Sequence, residues 1–487
     1  MTATLSWRFD HTYARLPDTL FAPAKPARAR DPRLALFNRR LALELGLGED
    51  LPEPAALAAQ LSGNELPNDA LPIAQAYAGH QFGHFAMLGD GRALLVGEHL
   101  CPDGRRVDIQ FKGSGQTVFS RRGDGRAALG PMLREYLISE AMHGLGIPTT
   151  RSLAVVATGE AVLRGNILEG AVLTRVAASH LRVGTFEYAS ARNDPELLGR
   201  LVDYAIARHY PECGTAERPA LALLEAVIGR QAALIAQWMR VGFIHGVMNT
   251  DNMSISGETI DYGPCAFMDA YNPAACFSSI DQGQRYAFGN QPPIGQWNLA
   301  RLAEALIPAI DADADRGLEL AEQAVMRYSD LYAGEQVAMM RAKLGLTGND
   351  GGDAALISEF LAWMHARSAD YTMTFRMLAS GRIEDARLNS DEALALWHQR
   401  WRQRTESQEG GVSAACALMR QSNPAYIPRN HLVEAALEAA TGPVMDLAPL
   451  HSLLALVADP YTERSGMADY ARPPADGNPG YQTFCGT

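Results

Sequence analysis

Two oxygen-bearing side chains, Asn252 and Asp261, close the stretch HGVMNTDNMSISGETIDYG at residues 245–263. Between them, Met253 to Ile260 predict a strand, a tight turn and a second strand, which returns Asp261 to the neighbourhood of Asn252. A carboxylate and an amide oxygen so placed suit magnesium, which takes few protein ligands and fills its shell with phosphate oxygens and water. Asp251 stands beside this pair, where it can accept a proton from an attacking hydroxyl, orient that hydroxyl, or support the metal from outside. The competing structural use is Asn as a turn residue and Asp as a cap.

Phosphate chemistry needs donors, and they occur upstream. In VDIQFKG, Val107, Ile109 and Phe111 share one face of a strand, and Asp108, Gln110 and Lys112 share the other, because side chains alternate. Glu135, in the second turn of the next helix, is a partner for Lys112. Two glycine-containing basic loops flank the strand: Gly89-Asp90-Gly91-Arg92, and Arg121 to Arg126 with Asp124 and Gly125 at its centre. Glycine lets backbone N–H groups approach phosphate oxygens, and arginine adds forked donors. Arg175 and Arg182 suit the most charged end of a triphosphate. Singly, each is as well explained by a turn or an exposed ion pair. Their order along the chain is the stronger signal.

That order, with a strand lysine, a helix glutamate and then an HxDxxxxN pattern followed by Asp, is the order of phosphoryl-transfer parts in protein kinases. The third position of the pattern is Val247, so the aspartate that would take the hydroxyl proton is missing. Three readings stay open at this point: a transferase whose base is Asp251, a phosphotransferase acting on a small molecule or protein, and an inactive nucleotide-binding scaffold.

The elements that must position these residues follow from pattern. Residues 1–72 mix short helical stretches with Pro-rich connections and predict an N-terminal extension packed on the core. Residues 73–190 alternate apolar and polar residues around glycine turns, as hairpins do, and GPMLREYLISEAMHGLGIP predicts one helix among them, with Pro131 suited to its first turn and Gly144 and Gly146 to its end. From 191 to 345 the period becomes helical; Leu221, Leu224, Ile228, Ala232, Ile235 and Met239 make one apolar stripe leading into His245. Residues 346–487 predict a C-terminal helical extension and tail. The expectation is an α+β, two-lobed protein with the polar motifs in a cleft at the join.

With 43 basic and 55 acidic residues the net charge is -12, which disfavours nucleic acid and anionic membrane as partners. No continuous apolar run reaches the roughly 18 residues of a membrane span, and no apolar signal core follows Met1, so a cytoplasmic protein is expected. The six cysteines, Cys101, Cys213, Cys265, Cys276, Cys416 and Cys485, form no CxxC pair and no zinc spacing.

Four segments, AQAYAGHQFGHFAMLGDGRALLVGE, FKGSGQTVFSRRGDGRAALGPMLREYLISEAMHGLGIPTTRSL, HGVMNTDNMSISGETIDYGPCAFMD and NPAYIPRN, resemble the selenoprotein O family, over nearly the whole chain. The resemblance implies a protein-kinase-like fold and transfer of AMP from ATP to Ser, Thr or Tyr hydroxyls of proteins, with ATP reversed in the cleft; UMP transfer with Mn²⁺ is also implied. It implies ATP contacts at Gly89, Gly91, Arg92, Lys112, Asp124, Gly125, Arg175 and Arg182, Glu135 orienting Lys112, Mg²⁺ on Asn252 and Asp261, and Asp251 as the general base. Because members often end in a reactive cysteine or selenocysteine, it also suggests a reversible disulfide between Cys485 and Cys265, although the FCGT ending departs from the usual pattern.

Overall fold

The computed structural model describes residues 4–48, 50–348, 350–380, 391–475, 477 and 480–484. Its main sheet has nine strands. The path runs β2 (Phe21–Pro23), β4 (Ile73–Gln75), β7 (Ala93–Leu100), β8 (Arg106–Lys112), β11 (Asn166–Ala177), β10 (Arg151–Arg164) and β3 (Arg33–Phe37), with β1 (Phe9–Asp10) on β7 and β9 (Ala127–Ala128) on β11. All pairings are antiparallel. A separate hairpin pairs β5 (Ala78–Gln81) with β6 (His84–Met87), and β12 (Phe243–Ile244) pairs β13 (Ala266–Phe267). The fold is mixed α+β.

Residues before 73 do more than wrap the core. They supply β1, β2 and β3 to the sheet, including the strand that borders β10. Their strands are short and Pro-flanked, so alternation is too brief to show there.

Helix α3 (Leu129–Gly144) carries Glu135 and is apolar nearly all round: Leu129, Met132, Leu133, Tyr136, Leu137, Ile138, Ala141 and Met142 are buried. Such a helix must be covered on both sides. It lies against β10 and β11 on one side and the helices Asn430–Thr441 and Ala448–Val457 on the other. Full burial of each large side chain contributes roughly 1.5–3 kcal/mol. At its end, a Cβ on Gly144 would lie 2.0 Å from the Val457 carbonyl oxygen, so only glycine lets the second helix come that close.

The helical part begins with α4 (Val183–Ser190), α5 (Pro195–His209) and α6 (Pro219–Val241), and continues through α7 (Gln291–Ile310), α8 (Ala314–Met326) and α9 (Tyr328–Lys343). Of the apolar stripe predicted on α6, which packs on α7, α8 and α9, Leu224, Ile228, Ala232, Ile235 and Met239 are buried and Leu221 is partly buried. By length and composition α6 is long and apolar enough to cross a membrane, although Glu225, Arg230 and Arg240 leave it without a continuous apolar run, and much of it is buried. It ends at Gly242, whose left-handed φ of 72° turns the chain into β12 and the 245–263 stretch.

Candidate functional site

Residues of β8, β11 and α3 meet under the sheet. On the antiparallel pair β8–β11, Arg175 lies opposite Gln110, and directly opposed residues share a face; Lys112, two residues on from Gln110, shares it too. Lys112 Nζ donates to Glu135 at 2.6 Å and to Asp261 at 2.9 Å. Arg175 donates to Glu135 at 2.5 and 2.9 Å, to Asp261 at 2.6 Å and to Gln110 at 3.2 Å. Lys112, Glu135 and Arg175 are 5%, 3% and 1% exposed, which rules out the surface-residue alternative for them. Burial opposes ionisation of Asp261, yet Arg175, Lys112 and Arg182 outweigh it and hold the carboxyl well below its ordinary value. For Glu135 too, Arg175 and Lys112 overcome burial, and its pKa is lowered.

Arg182 completes the group. Its guanidinium is 4.3 Å from the Tyr77 ring centroid, 3.5 Å from Asp90 and 3.7 Å from Asp261 Oδ2. Its Nε and Nη1 are buried without a hydrogen-bond partner among the described residues, Nη1 being the atom 3.5 Å from Asp90 Oδ1. Unsatisfied buried donors of this kind are costly unless an anion takes them.

These residues open into a cavity of about 1090 Å³. Gly89, Gly91, Arg92, Lys112, Asp124, Gly125, Glu135, Arg175, Arg182, Asp251, Asn252 and Asp261 all line it, so the structure brings together the ligand and metal candidates read from the sequence. Both glycine loops are held by close packing: a Cβ on Gly89 would lie 2.4 Å from the Phe119 ring, and one on Gly125 would lie 2.1 Å from the Gly115 carbonyl oxygen. Asp124 does not project alone. Arg164, at the tip of the β10–β11 hairpin, grips both its oxygens at 2.7 and 2.9 Å and also reaches the Arg126 carbonyl. That grip lowers the Asp124 pKa to about 2. Nothing local to Arg164 in the sequence marks it; only the hairpin brings it to the loop.

The 245–263 stretch forms the floor. His245 Nε2 lies 2.9 Å from the Ile260 carbonyl, and Gly246 adopts φ 79°, where a Cβ would meet the Pro264 carbonyl oxygen at 2.3 Å. The predicted return is present as a turn closed by a Met253–Thr259 bridge. Asn252 Nδ2 donates to the Val247 carbonyl at 3.0 Å, which leaves the amide oxygen to ligate. Asp261 spends Oδ1 on Lys112 and Arg175, which leaves Oδ2. One carboxylate oxygen and one amide oxygen on the wall of this cavity fit a hard divalent cation that keeps water and phosphate in its shell. Among the described residues no group of three His, Cys, Asp or Glu offers a denser site.

Asp251 is 9% exposed, and burial, the largest influence, raises its pKa to about 6. Gln81 Nε2 approaches its Oδ2 at 3.4 Å, and its Oδ1 has no hydrogen-bond partner among the described residues. Val247, at the third position of the HxDxxxxN pattern, lines the cavity as an apolar residue.

Glu258, in the same turn, accepts from the Ala178 N–H at 2.8 Å and the Ser256 hydroxyl at 3.1 Å, and burial lifts its pKa to about 7. The folded state therefore holds this proton more tightly than the unfolded one, so stability falls as pH rises from about 4.5 to 7. Glu258→Gln is expected to raise the thermal midpoint at pH 8 and leave it nearly unchanged at pH 4; equal shifts at both pH values in calorimetry would contradict this.

Cys265 is buried behind Pro264, and burial pushes its thiol up to about 11. Cys485, its expected disulfide partner, lies outside the described residues. The segment before it, Tyr481 to Phe484, does reach the site: Thr483 Oγ1 donates to the Pro264 carbonyl at 2.7 Å, and Tyr481 donates to Glu434 at 2.7 Å.

A cavity lined with glycine loops and buried guanidinium donors, with a separate carboxylate at one wall, has the chemistry to take a polyanion beside a proton acceptor. Comparison with known proteins specifies the class. A family model described as "Protein adenylyltransferase SelO" matches residues 3–458, and the chain belongs to this family of nucleotidyl-transferring enzymes. It is 55% identical over 488 residues to "Protein nucleotidyltransferase YdiU" of Shouchella clausii (strain KSM-K16), covering 100% of both chains. It is 54% identical over 483 residues to the protein of the same name from Nitrosococcus oceani, covering 99% of this chain and 98% of the relative.

Proposed function

We propose that the chain transfers AMP from ATP to serine, threonine or tyrosine hydroxyls of proteins in the cytoplasm, releasing pyrophosphate. The observation that carries this reading is the pairing of a complete phosphate-holding cluster, Lys112, Glu135, Arg175, Arg182 and Asp261, with a carboxylate at Asp251 and none at Val247. In this reading ATP lies reversed, its terminal phosphates gripped by Lys112, the arginines and the backbone of the two glycine loops, and its α-phosphate turned to the acceptor. Asp251 takes the hydroxyl proton as the acceptor oxygen bonds to the α-phosphorus; the bond from that phosphorus to the bridging oxygen breaks, and its electron pair leaves with pyrophosphate. Asn252 and Asp261 Oδ2 would hold Mg²⁺ or Mn²⁺, which when bound neutralises charge on the phosphates. UMP transfer with Mn²⁺ belongs to the same reading. So does a protein-kinase-like division into a sheet lobe (73–190) and a helical lobe (191–345), flanked by the segments 1–72 and 346–487.

The test is ATP labelled at either the α- or the γ-phosphate, supplied with Mg²⁺ and a dialysed bacterial protein extract. Protein-bound α-label, with pyrophosphate released, is expected. Protein-bound γ-label would instead mean phosphoryl transfer, and neither label would mean a binding scaffold.

A further inference from the structure

The hairpin β5–β6 is stitched to the segment that carries Asp251, residue by residue. The His80 N–H donates to Thr250 Oγ1 at 2.7 Å, and the Phe82 N–H donates to Asn249 Oδ1 at 3.1 Å. Between those two anchors, the Gln81 side chain reaches Asp251 Oδ2 at 3.4 Å. The anchors are themselves held. Thr250 Oγ1 donates to Glu187 of α4 at 2.5 Å, Glu187 also bonds the His80 ring, and Tyr286 donates to Asn249 Oδ1 at 2.7 Å. On the other side of the carboxylate, a Cβ on Gly79 would lie 2.4 Å from Asp251 Oδ1. The two-residue turn Phe82-Gly83, with φ 51° and 88°, sets the register of the hairpin and so which side chain faces Asp251.

We infer that Gln81 is the positioning residue of Asp251. Its amide approaches one carboxylate oxygen while the bare backbone of Gly79 confines the other, and the Thr250–Glu187–His80 bonds hold the hairpin that carries both. A carboxylate must be held to a fraction of an ångström to take a proton during attack, and its supports are as sensitive as the group itself. Gln81 lines the cavity, and among the described residues its side chain makes no hydrogen bond to the Lys112 cluster, so its effect should fall on turnover and not on nucleotide affinity. The inference rests on the reading of Asp251 as the base.

The experiment uses the full chain, α-labelled ATP, Mg²⁺ and a dialysed bacterial protein extract as acceptor. Gln81→Leu, close in size but unable to donate, is expected to slow label transfer about 10–100-fold, the usual effect of losing a group that orients a working ligand. The KM for ATP and the melting temperature should stay at wild-type values. Gln81→Leu placed on Asp251→Asn should add no further loss, because both act through one carboxylate. A Gln81→Leu enzyme with wild-type turnover, a loss that tracks a raised KM, or an additive loss in the double variant would each overturn the inference. If Gln81→Leu is wild-type while Asp251→Asn is inactive, the positioning role alone fails. If Asp251→Asn stays active, the base assignment fails and this inference with it.

Discussion

Asp251→Asn is expected to lower AMP transfer to protein by about 10²–10⁴-fold, the usual contribution of a positioned general base, while ATP affinity stays within a few-fold of wild type. The separation follows from geometry. Asp251 touches Gln81 and abuts Gly79, and among the described residues it makes no hydrogen bond to Lys112, Arg175 or Asp261, so its amide replacement leaves the bonds of the Lys112–Glu135–Arg175–Asp261 cluster in place. Burial raises its pKa only to about 6, so the carboxylate form predominates near neutral pH and can accept a proton. Single-turnover transfer of α-label, measured beside equilibrium binding of ATP, checks both halves. An Asp251→Asn enzyme with wild-type transfer would falsify the base assignment, and a parallel loss of ATP binding would show that the residue works through the nucleotide site.

Glu135→Ala should have the largest effect on stability of any single change in the site. Glu135 accepts from Lys112 and twice from Arg175 while 3% exposed. Removing it leaves Lys112 and Arg175 with Asp261 as their one carboxylate partner among the described residues, and Arg182 draws on that carboxylate too. Breaking one partner of a buried ionic network costs about 3–5 kcal/mol, because the remaining charge is left uncompensated. Relief by rearrangement is limited, since α3 is clamped between β10–β11 and two C-terminal helices. Denaturant unfolding of Glu135→Ala should show the unfolding free energy falling by that amount, as a lower midpoint with little change in slope, and ATP binding should fall with it. Glu135→Gln keeps an acceptor oxygen and should recover part of the stability. A Glu135→Ala protein as stable as wild type would mean that the network contributes little to the fold.

Much of this site could be read before the fold was known, for reasons local to the chain. Lys112 shares a strand face with Gln110 because of a period of two, and the structure keeps that face turned to Glu135. The turn between Asn252 and Asp261 follows from the short segment joining them. Val247 announced a missing aspartate by identity alone. Other parts had no local signal. The N-terminal segment was expected to pack on the core, yet its short strands enter the sheet, because pairing across long separations is decided by partners and not by a brief alternation. Arg164 reaches Asp124 only because a long hairpin folds back over the loop.

By itself, the sequence determined the inventory of charges and turns and the membership of a family: which residues bind protons, metals and phosphates is a matter of side-chain type, and short-range spacing sets their faces. The tertiary structure alone decided how that inventory is shared. Asp261 divides its oxygens, Oδ1 to Lys112 and Arg175 and Oδ2 facing Arg182 at 3.7 Å, and Asp251 meets Gln81 and Gly79 from a hairpin far away in the chain. Those contacts arise from burial, where every charge must find a partner, and partners separated by a hundred residues leave no periodic trace.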